Sequence, residues 1–301
     1  MFELIFLGTS ASVPSADRNQ PGLLISANGT RILVDCGEGT QRQLLRSGLG
    51  FRQLGRLLLT HGHLDHVLGI TGLLSTLGLQ QSSEGMIING GARTLETVSR
   101  ILAGHWGEGR SPIPLTLAPI SQGQVAQENG FTITAFPVRH RDTDSYGYSF
   151  QPIARRHLQR DRLVALDVPD GAIRRELAAG RSARLADGRT IEPADVLGPL
   201  ENGRKLVVVG DTETTDGLRD FVQDAAILVI EATFIRKDRA MAKDYGHLTA
   251  EQAAMLAASS GVDQLILTHI SGRYAAEDIL AEAREIFPST HIANDLDRFK
   301  V

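Results

Sequence analysis

The stretch LLLTHGHLDHVLG (57–69) holds three histidines and an aspartate within six residues, in a chain with only nine histidines. Neutral imidazole and carboxylate are borderline ligands that suit zinc. His61 and His63 are two residues apart, so on extended chain they point to the same side. Asp65 and His66 open a helical turn in this reading and can swing toward the same point. Without a metal, such a cluster would repel itself when protonated and waste polar groups when buried. Three more ligand-type side chains stand where an apolar strand runs out: His140 after FTITAFPV, Asp211 after KLVVVG and His269 after QLILT. Such strand ends are where α/β folds gather their sites. Four ligands serve one metal. The seven together suit two ions about 3.5–4 Å apart, with a shared carboxylate and a bridging hydroxide.

Short strand-like runs must carry these residues. They are expected at 2–7, 23–26, 31–35, 57–60, 86–89, 131–138, 146–151, 206–209, 227–230 and 265–268. Helical spacing covers 40–47, 92–104, 249–260 and 276–286. Strands mixed with helices in this order predict an α/β layered domain with strands at both ends of the chain.

Composition bounds the reading. The chain has 301 residues, 42% hydrophobic and 22% charged, which predicts a folded core. The single cysteine, Cys36, cannot form an internal disulfide. The N-terminal MFELIFLGTSASVP has no basic leader and reads as a strand. No apolar run approaches the ~18 residues of a membrane span. A cytoplasmic protein with no membrane segment is the expectation. Net charge is −4, so any nucleic-acid contact must be local. One segment qualifies. Arg155–Arg189 carries nine arginines against five acids, a net of +4, inside a stretch (152–204) where apolar runs stop.

These residues, with FLGTSASVPSADRN (6–19), DCGEGTQRQLL (35–45), EATF (231–234), GHLTAEQAA (246–254) and LTHISGRY (267–274), resemble the ribonuclease Z family of the metallo-β-lactamase superfamily. The resemblance runs over nearly the whole chain. It implies a four-layer αββα metallo-β-lactamase sandwich, a single domain over 1–301, with an inserted flexible basic arm at 152–204 that serves as a tRNA-binding exosite. It implies a zinc-dependent endoribonuclease that removes the 3′ trailer from precursor tRNA, by hydrolysing a phosphodiester with a metal-bound hydroxide. Two zinc ions per chain would be held, one by His61, His63 and His140, the other by Asp65, His66 and His269, with Asp211 bridging. Asp65 would also orient the attacking hydroxide, His247 would give the leaving oxygen its proton, and Glu231 would orient His247. Arg155, Arg156, Arg160, Arg162, Arg174 and Arg175 would contact RNA, and a homodimer is implied.

Departures from the family pattern are specific. Leu64 stands where glycine is common, Leu248 where serine is common, and Thr212-Glu213 follow the bridging aspartate where an arginine is often near. The arm core reads Val168-Pro169-Asp170-Gly171-Ala172 instead of a Pro-Pro-Gly-Pro run. The competing function is a hydrolase of the same fold acting on a small phosphodiester, lactam, lactone or sulfate ester. The basic arm separates the two, since a small substrate needs no remote grip.

Overall fold

In the computed structural model, which describes residues 2–81 and 84–301, the chain divides into two compact units. The larger comprises the chain up to Gln151 together with Arg204–Val301.

Its first half runs β1 (Glu3–Gly8), β2 (Gly22–Ala27), β3 (Thr30–Val34), α1 (Thr40–Arg46), β4 (Leu54–Leu58), α2 (Leu64–Val67), α3 (Gly69–Gln80), β5 (Met86–Gly90), α4 (Ala92–Trp106), β6 (Leu115–Pro119), β7 (Gly123–Glu128), β8 (Phe131–Val138) and β9 (Ser145–Pro152). The smaller unit contributes β10 (Arg155–Leu158), α5 (Arg160–Ala165), α6 (Ala172–Ala178), β11 (Ala183–Arg184), β12 (Thr190–Ile191), α7 (Pro193–Val196) and β13 (Leu197–Glu201). The chain then returns with β14 (Leu206–Val208), α8 (Arg219–Val222), β15 (Ile227–Glu231), α9 (Arg239–Tyr245), α10 (Ala250–Ser259), β16 (Gln264–Thr268), α11 (Ala276–Ile286), β17 (Thr290–Ile292) and β18 (Arg298–Lys300).

Two seven-stranded sheets form, in the orders β18-β1-β2-β3-β4-β5-β6 and β17-β16-β15-β14-β9-β8-β7. Strand alternation explains the layers. On β1, Leu4 and Phe6 turn into the space between the sheets, where they meet Phe131, Tyr148 and Phe150 of the opposite sheet. Ile5 and Leu7 turn outward, into a core with Leu44 of α1, Leu73 of α3 and Val98 of α4. On the second sheet Leu228, Ile230, Leu265 and Leu267 face outward onto Ala253 of α10 and Ile279 of α11. Strands buried on both faces read as unbroken apolar runs, which is why ILVIE and QLILT were legible. The result is the expected αββα sandwich, with the first and last strands of the chain, β1 and β18, paired antiparallel at one edge of the first sheet.

Several elements lie outside the expected set. β6 and β7 are half-buried strands with few strong hydrophobes, LTLAP and GQVAQE, so their pattern is weak. α3 is rich in glycine and threonine, which hides its buried face of Ile70, Leu73, Leu74 and Leu77.

The smaller unit, Pro152–Gly203, is folded around its own core of Leu163, Val168, Leu177, Leu185, Ile191 and Val196. β10 pairs with β13 and β11 with β12, each antiparallel. α7 begins at Pro193 behind a reciprocal Glu192–Asp195 cap. The charge of this segment therefore coats a small fold.

Candidate metal centre

The seven candidate ligands converge. His61 and His63 follow β4, and Asp65 and His66 sit on the single turn of α2. His140 follows β8, Asp211 follows β14, and His269 follows β16. Close backbone approach is built in at two glycines. A Cβ on Gly210 would lie 2.8 Å from Thr60 Cβ, and one on Gly37 would lie 2.3 Å from the Asp65 carbonyl oxygen.

Hydrogen bonds behind the imidazoles set their tautomers. His66 Nδ1 lies 2.8 Å from Asp35 Oδ2, and a carboxylate only accepts, so this nitrogen carries the proton. Thr60 Oγ1 donates to Asp35 Oδ2 at 2.8 Å, which leaves the same hydroxyl to accept from His61 Nδ1 at 3.1 Å. His140 Nδ1 donates to the Gly246 carbonyl at 2.7 Å. Thr233 Oγ1 donates to Glu231 Oε2 at 2.6 Å and accepts from His269 Nδ1 at 2.9 Å. Four Nε2 lone pairs thus point inward, the arrangement by which outer hydrogen bonds orient metal-ligating histidines.

The inward atoms have nothing to donate to one another. His61 and His140 Nε2 lie 3.7 and 3.8 Å from Asp211 Oδ2. His66 and His269 Nε2 lie 3.5 and 3.4 Å from the other oxygen, Oδ1. The same two nitrogens are 3.6 and 3.5 Å from Asp65 Oδ2. His63 presents Nδ1, 3.2 Å from His140 Nε2. Among the described residues His61, His66 and His269 Nε2 and Asp211 Oδ1 are buried with no hydrogen-bond partner. Acceptor facing acceptor is costly unless a cation lies between. Zinc bonds of about 2.0–2.1 Å at tetrahedral angles set ligand atoms about 3.3 Å apart, close to these separations. The residues therefore fit metal ions, and Asp211 turns one oxygen to each half of the cluster.

Electrostatics agree for three of the imidazoles. Burial, reinforced by neighbouring imidazoles, lowers the pKa of His61, His63 and His140, which keeps them neutral. Burial also works against charge on His66, but Asp211 and Asp35 outweigh it and raise its pKa well above the usual value. A proton on His66 Nε2 and a metal ion are alternatives at one spot. Asp65 stays ionised, at about 2, because His269 and His66 overcome the cost of its burial. The backbone N–H of Ser12 donates to Asp65 Oδ2 at 3.2 Å.

Beside this cluster stands His247, its Nδ1 2.9 Å from Glu231 Oε1. Glu231 is fully buried and also accepts from the N–H of Thr212 (2.8 Å) and of Leu248 (3.2 Å). Burial alone would lower the His247 pKa, but Glu231 pushes it up to about 9. Leu248 is buried and offers only its N–H here, while Leu64 is exposed at the rim. Glu213 lies off the cluster and accepts from Arg141 N–H at 3.0 Å. Sequence reasoning missed Asp35, Thr60 and Thr233 as supports. The first was visible as an acid closing a strand in ILVDCG. The two threonines had no signal beyond standing one residue from His61 and two from Glu231.

The arm arginines divide. Arg162 donates to the Leu197 carbonyl at 3.2 Å, and Arg174 donates to the Val168 carbonyl at 2.7 Å and pairs with Asp170. Arg155, Arg156, Arg160 and Arg175 are exposed, with no ion pair among the described residues. Outside the cluster, Cys36 is buried and its thiol is pushed up to about 12 by burial, so it is inert. Trp106 packs against the α4 core beside exposed His105, and His291 lies against Phe299.

A family model described as "Beta-lactamase superfamily domain" matches residues 157–270, and one described as "Anti-Pycsar protein Apyc1" matches residues 2–159. Among solved structures the chain is similar to the metallo-β-lactamase fold protein YhfI from Bacillus subtilis (TM-score 0.72, 18% identity, 99% of this chain and 98% of that one). It is also similar to the short form of human tRNase Z (TM-score 0.69, 24% identity, 99% of each chain). Fold and cluster thus define a protein of the metallo-β-lactamase fold with a candidate metal centre. Curated relatives named ribonuclease Z align end to end: that of Bradyrhizobium diazoefficiens is 65% identical over all of both chains. That of Archaeoglobus fulgidus is 36% identical over 100% of this chain and 98% of its own. The chain belongs to the ribonuclease Z family, and is a hydrolase of the metal-dependent endoribonuclease type. Among the described residues no helix is long and apolar enough to cross a membrane.

Proposed function

We propose that this chain is a zinc-dependent endoribonuclease that removes the 3′ trailer from precursor tRNA. The observation that carries the reading is the two-sided Asp211 carboxylate among unpartnered imidazole nitrogens, with the Glu231–His247 pair at its edge. When bound, two zinc ions would supply Lewis-acid stabilisation of the extra negative charge of a phosphodiester transition state and acidify a water. His61, His63 and His140 would hold one, Asp65, His66 and His269 the other, and Asp211 both. Asp65, ionised and aligned by the Ser12 N–H, orients the attacking water. His247, protonated and fixed by Glu231, gives a proton to the departing ribose oxygen.

The smaller unit would grip the tRNA body through Arg155, Arg156, Arg160 and Arg175. Arg162 and Arg174 would stiffen the surface that presents them, and could add contacts only with their remaining donors. We further propose a cytoplasmic homodimer. Leu45 on α1 and Leu79 on α3, 56% and 87% exposed, offer apolar surface for a second copy.

The test is direct. Purified, zinc-loaded protein is incubated with a precursor tRNA and the new 3′ end is mapped. A single cut at the start of the trailer is expected. Hydrolysis of small phosphodiesters with no cut in the precursor would instead favour the small-molecule reading.

A further inference from the structure

Tyr245 closes α9 two residues before His247, with Gly246 between them in a left-handed conformation (φ 74°). The tyrosine is 56% exposed. A single exposed aromatic needs no explanation in itself. This one, however, is the outer ring of a stack. Its ring lies over Phe234, with centroids 6.2 Å apart and planes at 25°. Phe234 is buried, and its ring lies 6.2 Å from that of His247 and 6.4 Å from that of Tyr274. Tyr274 is itself pinned by a hydrogen bond from its hydroxyl to Asp238 Oδ2, 2.6 Å. A buried, braced aromatic thus holds an exposed one in a fixed plane beside the proton donor. On the last turn of the same helix Lys243 is exposed and has no ion pair among the described residues. Sites for unpaired RNA combine these two components, a flat aromatic face for a base and a cation for the backbone.

We infer that Tyr245, backed by Phe234, is the stacking platform for the unpaired nucleobase on the leaving-oxygen side of the scissile phosphate. The inference rests on the endonuclease reading above. In an in-line displacement the attacking and leaving oxygens lie on opposite sides of phosphorus. The proton donor marks the leaving side, so the ribose attached to that oxygen lies on the His247 side of the cluster. Its base then meets the ring system that borders His247. Stacking reads a π-face and no particular hydrogen-bond pattern, so the platform would position any of the four bases. That suits an enzyme that must cut after different nucleotides.

The experiment uses the zinc-loaded protein in single-turnover cleavage of three precursors: an unmodified one, one abasic at the last retained nucleotide, and one abasic at the first trailer nucleotide. Base–aromatic stacking of the usual strength makes Tyr245→Ala about 5- to 100-fold poorer in kcat/KM on the unmodified precursor, chiefly through KM. Tyr245→Trp should restore most of that loss. The penalty of Tyr245→Ala should shrink to about two-fold or less with the abasic retained nucleotide, where there is no base left to stack, and persist with the abasic trailer nucleotide. Metal content and melting temperature of both variants should match the parent. An unmodified precursor cut normally by Tyr245→Ala overturns the platform. So does a penalty that survives the abasic retained nucleotide, or one that vanishes only with the abasic trailer nucleotide. A parent protein that cuts no precursor overturns the endonuclease reading, and the platform with it.

Discussion

Replacing His247 by alanine tests the proposed proton donation separately from metal binding. The side chain is 11% exposed and makes one close polar contact, to Glu231. Glu231 keeps three other donors when it goes, from Thr212, Thr233 and Leu248, so the buried carboxylate stays satisfied and the fold should hold. None of the seven converging ligands is touched, so metal content should not change. With its pKa pushed up to about 9, His247 is almost wholly in the acid form at neutral pH, so the full benefit of general acid catalysis is at stake. That benefit is typically about 10²–10⁴-fold in rate, or about 3–5 kcal/mol of barrier. The loss should depend on the leaving group. A ribose oxygen is a poor leaving group without a proton, whereas a nitrophenolate departs unaided. His247→Ala should therefore lose about 10²–10⁴-fold in single-turnover cleavage of precursor tRNA, yet less than about ten-fold on bis(p-nitrophenyl) phosphate. Equal losses on the two substrates, near-normal precursor cleavage, or loss of metal with the side chain would each refute the assignment.

Glu231→Gln should lower the His247 pKa, because it removes the charge that raises it. Stability or activity that depends on the His247 proton is present below the histidine's ordinary pKa and is lost as pH rises through about 9 in the parent. The alkaline limb of precursor cleavage should thus move to lower pH in the variant, and an unmoved limb refutes the pairing. Asp211→Ala should lower zinc in elemental analysis from about two per chain to one or none, since each carboxylate oxygen serves a different half. Retention of two metals would remove its bridging role. Replacing Pro152–Gly203 by a short Gly-Ser linker should spare hydrolysis of bis(p-nitrophenyl) phosphate, because the smaller unit has its own core and holds none of the seven ligands. Precursor tRNA binding should weaken greatly and lose salt dependence, about 0.7–0.9 in log–log slope per phosphate contact removed. Unchanged tRNA affinity would show that the grip lies elsewhere.

The candidate ligands were legible because four of them crowd into six residues after an apolar strand and the other three each stand where an apolar strand stops. The strands that carry them come from both sheets, and their ends meet at one edge of the sandwich, so residues far apart in sequence come together there. Residues whose work is done by the backbone gave no such signal. Ser12 offers an N–H to Asp65, and Gly246 a carbonyl to His140. The inserted unit was legible as charge and not as fold. Its apolar residues are few and set among charges, and the longest run, Leu163–Leu166 behind Arg160 and Arg162, is only four residues and folds mostly as helix. The same density of arginine hid which of them are free. Arg174 and Arg175 are neighbours in sequence, yet one is tied to Val168 and Asp170 and the other faces outward, a distinction set by a helical turn of about 100°.

Two of the residues that build the centre stand in a backbone region that side chains rarely occupy. Asp35 has φ 58° and His269 has φ 56°. Aspartate and histidine enter this conformation more readily than most side chains, yet for any non-glycine residue it costs about 1–3 kcal/mol. Each stands where its strand stops, Asp35 just after β3 and His269 just after β16. A residue that continued the strand would send its side chain to alternate faces of the sheet. The left-handed turn breaks that alternation and brings the side chain round to the sheet edge. The surrounding bonds over-determine the result: Thr233 Oγ1 lies within 3.1 Å of both the Nδ1 and the carbonyl oxygen of His269. Asp35 is held by the N–H and the hydroxyl of Thr60, at 2.8 Å each. Neither bond network contributes an inward ligand atom. They fix which nitrogen of three imidazoles faces inward, and so the strain at two strand ends is converted into the lone-pair directions on which metal binding depends.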